Sequence, residues 1–301
     1  MTGLKHRLRS DFVPEWCALG ALALVDALWA AQIQLDFTAS AKDFLVLGLA
    51  LSIALLLRIF AASRGGLMAE YFALTLAGST AICALSYLCL ASAGPLVDSR
   101  LMAMDRMLGF DWLAGYQFVH AHPALLAVLG IAYGSLVYQG LYFCLLLGLM
   151  NAKPQLREMF WLFLATGLLA CAGALLFPAL GPSKLYEIQT DTGFVPVMQH
   201  LLSGQDMRFS LSGMTGVVSF PSFHTAMALA YCWAFRKTGI IGAGIIALNI
   251  VMLCAVPFFG GHYLVDMIAG AAAMLIALAI VKTAPAFRSS GERGAVAPAT
   301  V

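Results

Sequence analysis

Long apolar runs separated by short polar breaks dominate the chain. Eight runs fall at 16–33, 44–62, 71–91, 125–149, 159–177, 218–235, 240–259 and 263–281. Most approach the ~20 residues that a helix needs to cross a bilayer. The run at 218–235 is the weakest on length, and it starts on polar residues. The pattern predicts an all-α integral membrane protein with about eight transmembrane helices. Composition points the same way: 61% of the 301 residues are hydrophobic and 11% charged, with a mean hydropathy of +0.89. A soluble domain carries roughly a quarter charged residues.

The distribution of basic residues orients these spans. With the N-terminus inside, the inner connections and termini hold Lys5, Arg7, Arg9, Arg58, Arg64, Lys153, Arg157, Arg236, Lys237, Lys282, Arg288 and Arg293. The outer connections hold Lys42, Arg100, Arg106, Lys184 and Arg208. Twelve against five of the seventeen Lys and Arg residues favours eight spans with both termini cytoplasmic. The basic N-terminus resembles a signal-peptide start, but the run behind it is long, contains Asp26 and has no clear small-residue cleavage site, so it reads as an uncleaved first span. The net charge of +2 and the lack of a basic, aromatic-interleaved patch exclude nucleic acid as a partner. Seven cysteines in apolar stretches, odd in number and without a CxxC pair, read as free thiols packed among helices.

Two outer connections are long. The stretch 92–124 mixes polar and apolar residues, including Asp98 and Asp105, and suits an interfacial helix. The stretch 178–216 is more polar and carries Lys184, Asp191 and Arg208. The tail at 285–301 is rich in Ala, Gly, Pro and Ser and reads as disordered.

Candidate chemistry lies at the mouths of two apolar runs. His224 falls in the first turn of the sixth, where Pro221 suits a first helical position and Ser219 or Ser222 a cap. Unpaired N–H groups at such a start favour an anion. His262 and Asp266 open the eighth run four residues apart, a spacing that puts them on one helical face. The carboxylate can fix the imidazole tautomer and leave its other nitrogen free to attack. An ionisable group inside an apolar span is costly and usually functional. Asp26 and Glu70 read as structural or interfacial. His120, His122 and His200 lack clear partners. On the topology above, Lys184, His224 and His262 all face the outer side.

The segment 178–270 resembles the type 2 phosphatidic acid phosphatase (PAP2) superfamily. Within it, SFPSFHTAMAL and GGHYLVDMIAG resemble the branch of fungal inositol phosphorylceramide synthase and its bacterial relatives. Pro221-Ser222-Phe223-His224 is similar to the family's second motif, Pro-Ser-Gly-His, and His262 with Asp266 to its third, His-x-x-x-Asp. The stretch 178–184 stands where the first motif falls, with Lys184 as its main cation. Phe223 replaces the motif glycine, and Val256 stands where an arginine usually precedes the third-motif histidine.

The resemblance implies a six-helix core with two helices in front. The expected division is 1–66 for the N-terminal segment and added helices, 67–284 for the catalytic domain and 285–301 for the tail. It implies His262 as nucleophile forming a phosphohistidine, Asp266 orienting it, His224 as general acid and base, and Ser222 and Lys184 holding phosphate. It requires no metal or cofactor. The expected partners are a lipid-linked phosphate substrate and the bilayer; oligomeric state is left open. The expected location is a bacterial inner membrane, with the site on its extracytoplasmic face. The expected activity is transfer of a phosphoryl-headgroup from a phospholipid to a lipid or polyol hydroxyl. The alternatives are a lipid phosphate phosphatase, a transporter and a catalytically inactive scaffold.

Overall fold

The computed structural model describes residues 12–59, 63–188 and 194–283. Lys5, His6, Arg7, Arg9, Asp191 and the tail at 285–301 lie outside the described residues. In chain order the elements are α1 (Val13–Ile33), a short strand β1 (Asp36–Thr38), α2 (Ala41–Ile59), α3 (Ser63–Ala91), α4 (Asp98–Met107) and α5 (Trp112–His120). Next come α6 (Pro123–Leu149), α7 (Lys153–Leu176), the single turn α8 (Pro182–Leu185), α9 (Phe194–Ser203), β2 (Arg208–Ser210) and a 3-10 turn (Leu211–Gly213). The last three are α10 (Phe223–Phe235), α11 (Gly239–Phe259) and α12 (Leu264–Thr283). Among the described residues, six helices are long and apolar enough to cross a membrane: α1, α3, α6, α7, α11 and α12.

The run expected to be helical from 218 is helical only from Phe223. Ser222 caps it, its Oγ accepting from Thr225 N at 3.3 Å. Pro221 therefore stands just before the cap and not at the first helical position. The 13 residues of α10 supply about 20 Å of helix against a hydrocarbon core of about 30 Å.

This short helix sits among four others. It packs against α6, α7, α11 and α12, burying Ala226, Met227, Ala228, Ala230 and Tyr231. Alanines let the neighbours come close. Gly270 of α12 does the same, since a Cβ there would collide with the Ser222 carbonyl. On the outside of the bundle, Ile131, Val137 and Ile240 are each more than 70% exposed, at 74, 80 and 87%. In water such a surface would be an association patch; in a bilayer it is the lipid-facing coat.

Polar contacts inside the bundle fasten helices together. The buried Glu15 of α1 takes Arg157 Nε at 2.6 Å and Trp161 Nε1 at 3.1 Å, joining α1 to α7. Trp16 Nε1 donates to Glu70 Oε1 of α3 at 3.3 Å. Asn249 Nδ2 donates to Gln139 Oε1 at 2.8 Å, linking α11 to α6. His120 and His122 sit over the C-terminal end of α5, their Nδ1 atoms within 2.9 and 2.7 Å of the carbonyls four residues back.

Both long connections carry short elements of their own among the described residues. The stretch 92–124 holds two helices, α4 and α5. In the second connection, α9 packs on α3 with Met198 and Leu201 buried. Strands β1 and β2 pair in parallel, with Phe37 opposite Phe209, and Tyr87 of α3 meets Phe209 edge-on at 5.0 Å. Three residues are too few to display an alternating pattern, so the sequence predicts neither strand.

Candidate active site

Three loops meet at the N-terminal end of α10. The first is the turn from α11 into α12. Here Pro257 O accepts the His262 N–H at 3.2 Å, and Trp112 Nε1 donates to the same oxygen at 2.8 Å. The expected shared helical face of His262 and Asp266 is replaced by a different device. The helix begins at Leu264, so His262 lies in the turn before it. Asp266 reaches back over the first turn to accept Tyr263 N at 2.8 Å, in the manner of a capping box. The same Oδ2 stands 3.4 Å from His262 Nδ1 and accepts Ser219 Oγ at 3.4 Å. Asp266 is fully buried and His262 is 2% exposed.

The second loop leads into α10. The Ser222 N–H donates to the Asp266 carbonyl at 2.9 Å, which docks the start of α10 onto α12. Ser222 Oγ accepts from the Thr225 N–H and, at 3.2 Å, from the Thr225 hydroxyl, leaving its own proton to donate. His224 is half-buried, with its ring centroid 6.1 Å from that of His262. Tyr133 of α6 stacks on it at 4.6 Å and 14°. A tyrosine within an apolar helix gives no sequence signal for this role.

The third loop follows α7. Gly181 has φ +92, and a Cβ there would run into the Gly261 carbonyl, so only glycine lets these two loops touch. Beside it Ser183 is fully buried, and its Oγ has no hydrogen-bond partner. The neighbouring Lys184, favoured by the sequence as the phosphate cation, is exposed. Thus His224, His262, Asp266 and Ser222 come together, while Lys184 stands at the rim and Ser183 takes the inward position.

Two carboxylates hold this assembly, and sequence reasoning left both in an interfacial stretch without a role. Asp98 accepts the N–H groups of Leu180 and Gly181 at 2.8–3.1 Å and the Tyr263 hydroxyl at 3.0 Å. Asp105 accepts Leu264 N at 2.8 Å and Val265 N at 2.9 Å. It thereby satisfies two of the orphan donors at the start of α12. Burial pushes the Asp105 carboxyl up, and these two N–H groups oppose the shift. The Tyr263 phenol is also held above its ordinary value, by burial first and then by Asp98, and remains a donor. Burial pushes the His262 imidazole down to about 4, the Ser219 backbone acting in the opposite sense. At neutral pH His262 is therefore uncharged, with a lone pair available.

Asp105→Ala is expected to strip α12 of both N-terminal acceptors. Loss of a cap costs about 0.5–2 kcal/mol, so unfolding in detergent should move to lower temperature, with Asp105→Asn intermediate. An unchanged melting profile for Asp105→Ala would remove this carboxylate from the account.

A helical membrane bundle with a buried His–Asp pair and a second histidine facing it is the class of protein that this geometry defines. A family model described as the PAP2 superfamily matches residues 99–280, more than half of the chain, and the chain belongs to that superfamily. Its members are usually phosphatases or phosphotransferases acting on lipid phosphates. No curated protein and no solved structure matches the chain.

Proposed function

We propose that the chain is a membrane phosphotransferase that moves a phosphoryl-headgroup from a phospholipid donor to a lipid or polyol hydroxyl. The observation that carries this reading is the convergence of His224 on the buried His262–Asp266 pair. Asp266 takes the Nδ1 side of His262, which leaves Nε2 as the attacking atom. Its lone pair forms the N–P bond as the bond from phosphorus to the lipid oxygen breaks. His224 gives that oxygen its proton, and the lipid alcohol departs. In the second half, an acceptor hydroxyl loses its proton to His224 and attacks phosphorus. The P–N bond breaks, and its electron pair returns to Nε2. The hydroxyls of Ser222 and Ser183, the N–H groups at the start of α10 and the Lys184 cation are the donors for the phosphate oxygens.

Transfer is favoured over hydrolysis by the two residues that stand in place of the motif glycine and arginine. Phe223 packs edge-on against Phe163 at 6.0 Å, and Val256 is fully buried. A dry, weakly cationic site suits a singly charged phosphodiester and a bound hydroxyl better than a dianionic monoester and water. With a glycerophospholipid donor and a hydroxyl acceptor, headgroup exchange should exceed hydrolysis, and phosphatidate should be a poor substrate. Rapid phosphate release from phosphatidate or from a polyprenyl or sphingoid phosphate, without an acceptor-dependent product, selects the phosphatase instead.

The proposal includes eight crossings, with α2 and α10 added to the six long helices. It also includes the division at 66 and 284 and an extracytoplasmic site in a bacterial inner membrane. Single cysteines at 153 and 184 should then label oppositely with an impermeant thiol reagent. Labelling of both from the outside would overturn this topology.

A further inference from the structure

Below His224 a cavity of about 500 Å³ opens between α3, α6, α7 and α10. This volume falls in the range of about 300–1,000 Å³ typical of small-molecule sites. His224 and Phe223 line its upper end, and Leu211, Met214 and Val218 come over it from the loop before α10. The cavity runs inward along α10 past Met227 to Tyr231, seven residues or about 10 Å from His224. Its lower end is formed by Thr75, Gly140, Phe163, Met227 and Tyr231. The same five residues line a second void of about 20 Å³ on their far side. They are therefore a floor between two spaces. Along one side, Ser79, Thr80 and Val137 are exposed to the surroundings of the bundle, so the cavity also opens laterally.

The lining is mostly apolar, and three of its hydroxyls are already committed. Thr75, Thr80 and Ser86 donate their hydroxyls to carbonyls of their own helix, at 2.9, 3.1 and 2.6 Å. The cavity touches His224, while His262 is not among its lining residues. His224 serves the lipid oxygen, and His262 takes the phosphorus. Whatever fills the cavity is joined to the oxygen side of the phosphoester, and in these surroundings it is apolar.

Resting on the functional reading above, we propose that this cavity seats a hydrocarbon tail of the lipid alcohol whose oxygen His224 serves, and that Gly140 and Tyr231 at its floor set the tail length accepted. A side chain at Gly140 would extend toward the Tyr231 hydroxyl, since a Cβ there lies 3.8 Å from it with no nearer atom outside its own helix and chain neighbours. Gly140→Leu therefore raises the floor. Tyr231→Ala joins the cavity to the space beyond.

The test uses the purified full chain in mixed micelles, a glycerophospholipid donor series from dihexanoyl to dipalmitoyl, and glycerol and a long-chain alcohol in excess as hydroxyl acceptors, with diacylglycerol formation as the readout. The quantity compared is kcat/KM for long donors relative to short ones within each variant, which does not depend on the fraction of protein folded. Gly140→Leu should lower this ratio about tenfold, the scale of overlap between a bound chain and an added side chain. Tyr231→Ala should raise it. If both variants keep the wild-type chain-length profile while diacylglycerol is formed, the floor is not a ruler, and the tail lies in the bilayer through the lateral opening. If wild type forms no diacylglycerol from any donor in the series, the functional reading itself fails.

Discussion

His262→Ala is expected to abolish turnover and to leave no acid-labile phosphoprotein after brief exposure to a phosphorus-labelled donor. In the proposed scheme, His262 supplies the only bond that holds phosphorus between the two half-reactions. Loss of the ring removes the intermediate together with the rate. Asp266→Asn separates the two roles. The amide retains an oxygen that can accept Tyr263 N, so the start of α12 survives. Its charge, however, no longer balances the imidazolium side of the reaction, nor does it impose the Nδ1–H tautomer. The intermediate should still be trapped, more slowly and in smaller yield. Wild-type turnover by His262→Ala would overturn the mechanism whatever the family.

His224→Ala is expected to slow both formation and decay of the same intermediate by ~10²–10⁴-fold, the range for a lost acid–base group. The effect should depend on the leaving group. A donor whose alcohol is a nitrophenol needs no protonation to depart, so its first step should lose much less than that of a natural lipid. The second step, attack by an unactivated hydroxyl, should remain slow, and the phosphohistidine should accumulate. A loss that is uniform across leaving groups would point instead to misplacement of α10. Tyr133 provides the control. Stacked on His224 without contacting substrate in the proposed scheme, it is a positioning residue, and Tyr133→Phe should preserve the leaving-group dependence.

Much of this architecture is legible in the sequence because the bilayer imposes a length on apolar runs. The helical class follows from that, and so do His224 and the His262–Asp266 pair, which are ionisable groups beside stretches that otherwise avoid charge. The remainder rests on contacts without a local pattern. Asp98 and Asp105 occupy an amphipathic loop helix where acids are unremarkable; only folding brings them beneath the amides of Leu180, Gly181, Leu264 and Val265. Ser183 and Lys184 are adjacent, and charge made the lysine the obvious choice, yet one turn of helix directs the serine inward. Spacing also misled in an instructive way. His262 and Asp266 do meet, but through a cap on the helix end, because the glycine pair delays the start of α12.

The parallel pairing of β1 with β2 bears on how the protein is made. Phe37 pairs with Phe209, and Thr38 Oγ1 donates to the Phe209 carbonyl, 171 residues further along the chain. The first strand leaves the ribosome long before the second exists. On synthesis at about 5–20 residues per second, β1 waits some ten seconds or more with its edge unpaired. It can be closed only when the loop over α10 arrives, and that loop also carries the cover of the cavity beneath His224. The leading helices are therefore bound to a loop synthesised far behind them, so a chain shortened at its front would lose the Glu15 tie to α7 and, with it, the edge on which that loop is laid.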